Sequence, residues 1–206
     1  MSERAGNIGA PRAGRYGGDA TDVVLAERVL STAWNVQGDP GRTSVAADVE
    51  RLFAVALPLV PDTTRRASGV VALWLGPRSW LIVEEPARQR AAPRDFVACR
   101  DALNAGGAAL FDVSASRVAH TIRGTGAPRV LARTCPLDFD ARVFAPGQCA
   151  QSLLGRIGAL FYRHAESPAF TVMVARSFAA DAWGALCLAA STEGYDVEGA
   201  SPFDAA

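Results

Sequence analysis

Two histidines, four cysteines, a pair of aspartates and one polar strand entrance are the groups in this 206-residue chain whose types and spacing could do chemistry. The stretch APGQCAQSLLGR, residues 145–156, joins a Gly turn, Cys149, Gln151 and an apolar run. A nucleophilic cysteine needs a nearby cation or helix N-terminus to lower its pKa, and usually a histidine. His120 and His164 both fall in expected strands, and either could reach Cys149 in space. No motif joins them, so the residues favour Cys149 as a small buried hydrophobe over a thiol enzyme. Cys99, Cys135, Cys149 and Cys187 are far apart and contain no C-x-x-C pair, so nothing nucleates a zinc site. In CPLDFD, Asp138 and Asp140 would point the same way if extended; a solvated loop capping the preceding helix is the favoured reading. Asp112, at a strand end beside Ser114 and Ser116, is expected to hold a backbone turn or an arginine such as Arg117 rather than to act as an acid or base. The glycines of GPRSW, GTGAP and APGQC match neither GxGxxG nor a Walker loop, and read as turns.

Composition narrows the field further. The 21 acidic and 21 basic residues balance, which gives no electrostatic footprint for nucleic acid or an anionic membrane. Every basic residue is arginine; without lysine there is no Schiff-base lysine, P-loop lysine or lysine base. No apolar run reaches the roughly 18 residues that cross a bilayer. The first residues are polar and rich in Gly and Arg, unlike a secretory signal. The expectation is a cytoplasmic protein with free thiols.

The elements that must position these groups alternate between strand and helix. The periodicity predicts a strand over 29–38, a helix over 44–56 with Ser44 or Thr43 as N-cap, and a hairpin over 70–86 anchored by Trp74 and Trp80. A helix follows from about Arg94, stopped by Gly106-Gly107; then come two strands over 109–124 and a short helix ending before Pro136. A second hairpin spans 147–164, hinged near Gly155-Arg156. A strand over 170–177 and an amphipathic helix over 178–191 complete the set. The fold class is α+β: two similar halves, each an antiparallel sheet with helices on one face, with a boundary near 107–125. Residues 1–22 are expected to form a disordered arm, 23–190 the folded domain, and 191–206 a loose tail.

Several segments in order resemble the gamma subunit family of heterotetrameric sarcosine oxidase. They are STAWNVQGDP, VVALWLGPRSWLIV, FDVSASRVAHTIRGTGAPRVLARTCPLDFDARVFAPGQCAQSLLGRIGALFYR and FTVMVARSFAADAWGALCLAA, together covering about residues 29–190. The resemblance implies a fold similar to the folate-binding domain of aminomethyltransferases. It implies a complex with alpha, beta and delta subunits that oxidises sarcosine, or a related N-methyl amine, to glycine, forms hydrogen peroxide and passes the one-carbon unit to tetrahydrofolate. FAD, FMN, NAD and tetrahydrofolate would belong to the larger partners and zinc to the smallest, with none in this chain and no catalytic residue here.

Related folate-binding proteins carry Gly-Cys-Tyr-x-Gly-Gln-Glu on the strand equivalent to 145–156. Aligned on the Gln, Gln151 takes its place, Ser152 takes the place of the Glu, and Arg156 takes that of a downstream Arg. A carboxylate accepts two hydrogen bonds from a pterin edge in a fixed fork; a serine hydroxyl does not. Gln151, Ser152 and Arg156 are therefore candidates for a vestigial pterin site. The alternative is a stand-alone folate-binding or aminomethyl-transfer protein with Asp112 or Asp138 as acid or base. The partner-facing surface is expected at the aromatic ends of the two hairpins and in the tail after Ser191.

Overall fold

Strands buried on both faces need a cover on each side, and this chain has several. VVALWLG and SWLIVE, and later RVAHTIR, IGALFYR and AFTVMVA, are mostly buried along their length. The computed structural model, which describes residues 12–18, 22–91, 93–165 and 168–203, meets this need with four layers. The described strands are β1 (Gly14–Tyr16), β2 (Val24–Val29), β3 (Thr32–Gln37), β4 (Thr64–Ala67), β5 (Val70–Gly76), β6 (Ser79–Glu84), β7 (Ala109–Asp112), β8 (Arg117–Arg123), β9 (Cys149–Leu154), β10 (Ile157–Arg163), β11 (Ala169–Ala175) and β12 (Tyr195–Pro202). The described helices are α1 (Thr43–Phe53), α2 (Pro86–Ala91), α3 (Phe96–Ala105), α4 (Ala127–Ala132) and α5 (Ala179–Ala190).

One sheet has the order β4-β5-β6-β3-β7 and the other β1-β12-β2-β8-β11-β10-β9. The period-two alternation of each strand sends one set of side chains outward to helices and the other inward to the facing sheet. Trp34, Val36, Trp80 and Ile82 meet Val45, Val49 and Phe53 of α1 and Cys99 and Leu103 of α3. Leu25, Ile122, Phe161 and Val172 meet Val130 and Leu131 of α4 and Trp183 and Leu186 of α5. Between the sheets lie Ala33, Val71, Leu73, Leu81 and Val83 from one side and Ala119, Cys149, Leu160, Tyr162 and Met173 from the other.

The two α+β halves are present, each sheet carrying helices on its outer face, but they are not contiguous in sequence. β2 crosses over to lie between β12 and β8, pairing antiparallel with β8 and parallel with β12. The seven-stranded sheet is therefore mixed rather than antiparallel. The expected strand over 29–38 is in fact the end of β2, a bend, and β3.

The terminal expectations also need correction. Residues 1–11 lie outside the description, but Gly14–Tyr16 pair with β12, and Tyr16 stacks on Tyr195 with ring centroids 5.6 Å apart. The tail expected to be loose forms β12, and Tyr195, Val197 and Phe203 are buried. Phe203 enters the layer between the sheets, which accounts for an ordered strand in a Gly- and Pro-containing segment.

Local signals place the outer helices. Val45, Val49 and Phe53 fall on one stripe of α1 and are fully buried. Its N-cap is Arg42, with no side-chain cap bond, rather than Ser44 or Thr43; the Ser44 hydroxyl instead donates to the Gly106 carbonyl at 3.1 Å. Asp95 caps α3, accepting from the N–H groups of Val97 and Ala98 at 2.8 and 3.3 Å. Arg94, just before it, donates to the Leu52 and Phe53 carbonyls at the end of α1, at 2.6 and 2.9 Å, and pairs with Glu84 of β6. Glu84 is 1% exposed, so this guanidinium both caps a helix and neutralises a buried carboxylate.

Arg94→Ala leaves Glu84 buried and unpaired and should cost about 3–5 kcal/mol. Arg94→Met combined with Glu84→Gln should recover part of that loss. Denaturant midpoints of the two variants, followed by circular dichroism, measure the difference.

Candidate functional site

The candidate stretch enters β9 through a loop held by its own backbone. Gly147, at φ +80°, takes a left-handed turn that a side chain would strain, and its N–H donates to the Arg163 carbonyl at 2.9 Å. The Arg163 guanidinium, buried beneath this loop, donates to the carbonyls of Phe139 and Phe144 at 3.2 and 2.9 Å. β9 then pairs with β10, Leu154 opposite Ile157, across a two-residue turn. Its positive φ of 61° falls on the first turn residue, Gly155, as a type II′ hairpin requires.

Cys149 faces the layer between the sheets. It is fully buried, and its Sγ lies 3.4 and 3.5 Å from the carbonyls of Thr63 and Trp74, which fix the sulfur as a weak donor. Burial pushes the thiol up to about 12, so the thiolate is scarce at neutral pH. His120 projects from the other face of the same sheet, against Trp183 with ring centroids 5.3 Å apart. His164 packs on Tyr162 at 4.9 Å, and its Nε2 is 2.7 Å from the Thr171 hydroxyl. Neither imidazole is a partner of the Cys149 sulfur. Both ring nitrogens of His120 lack a full hydrogen bond, although the Ala179 backbone lies close, and burial pushes the group down to about 4.

The carboxylates are occupied by local structure. Asp112 accepts from the N–H and hydroxyl of Ser114 at 2.9 and 2.6 Å, while the Ser114 oxygen accepts from the Ala33 N–H at 2.8 Å. This knot fastens the corner at which the chain passes from one sheet to the other, and it is the backbone-turn role rather than a pairing with Arg117. Asp138 accepts from the Asp140 N–H at 2.9 Å. Asp140 accepts from the backbone and guanidinium of Arg142, which hold its carboxyl down to about 2. Both bonds run forward into the loop, so these aspartates build its turns and do not cap α4. Among the described residues no three His, Cys, Asp or Glu side chains gather as metal ligands.

A cleft lies where the two sheets part beside β9. Its volume is about 390 Å³, and Val113, Arg117, Gln151, Ser152 and Leu160 stand in its wall. Gln151 and Ser152 are brought together there, whereas Arg156 sits exposed on the hairpin turn, outside the lining. The Gln151 Nε2 donates to the Leu75 carbonyl of β5 at 2.7 Å, so this amide ties the two sheets. Sequence reasoning named Arg117 only as a partner for Asp112; its place in the cleft follows from sheet stacking.

The four layers define an α+β protein with an aminomethyltransferase-like fold. The aminomethyltransferase T of the glycine cleavage system from Bartonella henselae shares the fold, with a TM-score of 0.60 at 13% identity over 88% of this chain and 48% of that one. Nearer to it is a chain of the heterotetrameric sarcosine oxidase from Corynebacterium sp. U-96, solved in complex with pyrrole 2-carboxylate. The TM-score there is 0.75 and the identity 25%, over 86% of this chain and 88% of that one. Sarcosine oxidase subunit gamma of an Arthrobacter species is 31% identical over 150 residues, 73% of this chain and 71% of the relative. The corresponding subunit of Corynebacterium sp. strain P-1 is 30% identical over the same shares. A sequence profile of the sarcosine oxidase gamma subunit family matches residues 37–193. The chain belongs to that family.

Two measurements check the chemistry of these groups. In folded protein at pH 7, iodoacetamide should leave Cys149 unmodified, and peptide mass spectrometry should find it alkylated only after denaturation. His120, with a folded pKa near 4 against an ordinary 6.5, binds its proton more readily when unfolded, so it removes stability as pH falls from about 6.5 toward 4. Glu27, directly opposite on β2, has its pKa raised by burial and acts with the opposite sign, losing stability as pH rises above its unfolded value. His120→Phe should therefore shrink the acid-side loss, read from denaturant midpoints at pH 7 and pH 5.

Proposed function

We propose that this chain is a non-catalytic, structural subunit of a heterotetrameric sarcosine oxidase, assembled with alpha, beta and delta subunits. The observation that carries the reading is family membership together with the likeness to a chain of a heterotetrameric enzyme over most of both lengths. The complex would convert sarcosine to glycine, with hydrogen peroxide formed and the one-carbon unit accepted by tetrahydrofolate. In this reading FAD, FMN, NAD and tetrahydrofolate are held by the alpha and beta subunits and zinc by delta, in the cytoplasm. No described helix is long and apolar enough to cross a membrane.

The residues of this chain support a scaffolding role. Cys149 is a core residue, and Asp112 and Asp140 are spent on turns. The cleft does not suit a pterin. Its wall carries Ser152 where a carboxylate would take the pterin edge, and the Gln151 amide is already bonded to Leu75. Gln151, Ser152 and Arg156 are read as remnants of a ligand strand whose hydrogen bonding now serves the fold.

Expressed without its partners, the chain should carry no flavin absorbance and should be poorly soluble, and co-expression with the two large subunits should recover it in a complex. A monodisperse yellow protein obtained alone would overturn the reading. Calorimetric titration of the chain with a reduced folate should show no micromolar binding, and a micromolar Kd would show a working pterin site.

A further inference from the structure

Among the described residues, several arginines that are withdrawn from water, or that reach across the surface, have acceptors, and Arg117 stands apart from them. Arg94 has Glu84 and two carbonyls, Arg163 has Phe139 and Phe144, Arg28 has Ser201 and Glu198, and Arg133 has Glu193 and the Ala189 carbonyl. Arg117 has neither a carboxylate nor a hydrogen-bond acceptor among the described residues. Burial lowers its pKa, and no neighbouring charge opposes that effect. Asp112 is committed to Ser114, and Glu27, across a small adjoining cavity, is influenced by Arg176 rather than Arg117. A guanidinium half withdrawn from water, with no counter-charge among the described residues, gains from any carboxylate that reaches it.

The setting of Arg117 says what would supply it. It stands at the first position of β8, in the wall of the cleft where the sheets part. Two other polar groups of the cleft are committed elsewhere: the Gln151 Nε2 donates to Leu75, and the Ser116 hydroxyl to the Val113 carbonyl at 2.9 Å. The segments that form the cleft also carry exposed apolar side chains. Leu153 follows Ser152 on β9, Phe111 lies two residues before Val113, and Phe178 follows the turn at Arg176, whose N–H bonds to Ser116. They are 47%, 49% and 48% exposed. A half-buried cation with exposed apolar and aromatic side chains on the neighbouring segments has the composition of a protein–protein hot spot.

We infer that the Arg117 cleft receives an acidic side chain of a partner subunit, whose carboxylate takes the guanidinium fork while Leu153, Phe111 and Phe178 close around it. This rests on the subunit reading and adds the anchor of the interface. A carboxylate fits the planar fork in two parallel hydrogen bonds, and apolar side chains on the adjoining segments can pack against the partner around that contact.

The absence of lysine from the chain makes the test specific. R117K places the chain's one lysine ε-amine in the cleft, and a carbodiimide then joins it to a touching carboxylate without a spacer. In the co-expressed complex, R117K should give an amide cross-link to an Asp or Glu of a partner subunit, located by mass spectrometry. R100K, on the exposed face of α3, should give none to that residue. R117Q should weaken retention of the chain in the complex by about tenfold or more in a salt series, since truncating one member of an interfacial charge pair leaves the other unpaired. An intact R117K complex with no partner cross-link overturns the proposal alone. So does R117Q with wild-type retention, or R117Q that loses the wild-type circular dichroism, which would assign the guanidinium to folding. A wild-type chain that does not co-purify with the large subunits overturns the subunit reading, and this one with it.

Discussion

The apolar layer between the two sheets is the contact on which the rest of the molecule depends. It buries Leu73, Leu81, Val83, Leu160, Tyr162 and Met173 against one another and leaves helices to cover only the outer faces. Because side chains alternate along a strand, a one-residue slip in either sheet would turn this set outward. The register of both sheets and the identity of both faces are thereby settled together. Polar ties at one edge reinforce it: the Cys149 N–H donates to Asp62 at 3.0 Å, the Thr64 hydroxyl to Gly147 at 2.5 Å, and Gln151 to Leu75 at 2.7 Å.

That constraint explains why the residues with the most reactive side chains are chemically silent. Cys149 lies on the inward face of β9, where burial suppresses its thiolate. His120 lies on the outward face of β8, so a sheet separates it from the sulfur. Asp112 and Ser114 occupy the corner between β7 and β8, where a free acid would compete with the turn they make. The stacking leaves open a margin where the sheets part, and there stands Arg117, which has no counter-charge among the described residues.

Much of the framework was legible from local chemistry. The hairpin of β9 and β10 is marked by Gly155-Arg156 between two apolar runs, and that of β5 and β6 by Gly-Pro between strands ending in Trp74 and Trp80. The stripe of Val45, Val49 and Phe53 announces α1. β2 was hidden because Glu27 and Arg28 interrupt its apolar pattern. Glu27 is tolerated beneath the helices opposite His120, and Arg28 finds Ser201 and Glu198. β12 was hidden because Tyr-Asp-Val-Glu-Gly-Ala-Ser-Pro has turn composition, and its parallel pairing with β2 joins residues some 170 positions apart, which no local pattern records.

By itself the sequence determined the α+β class, the outer helices, two hairpins and, through an ordered set of motifs, the family. These follow from interactions within a few residues, in which side-chain period and turn chemistry act directly on the backbone. Only the tertiary structure decided that the halves interleave through β2 and β12, that Cys149 and His120 face opposite ways, and that Arg117 lacks an acceptor among the described residues. Each of these depends on which distant strand supplies the neighbour. The burial and pairing of a charge are properties of that neighbour, and the residue's own place in the chain does not contain them.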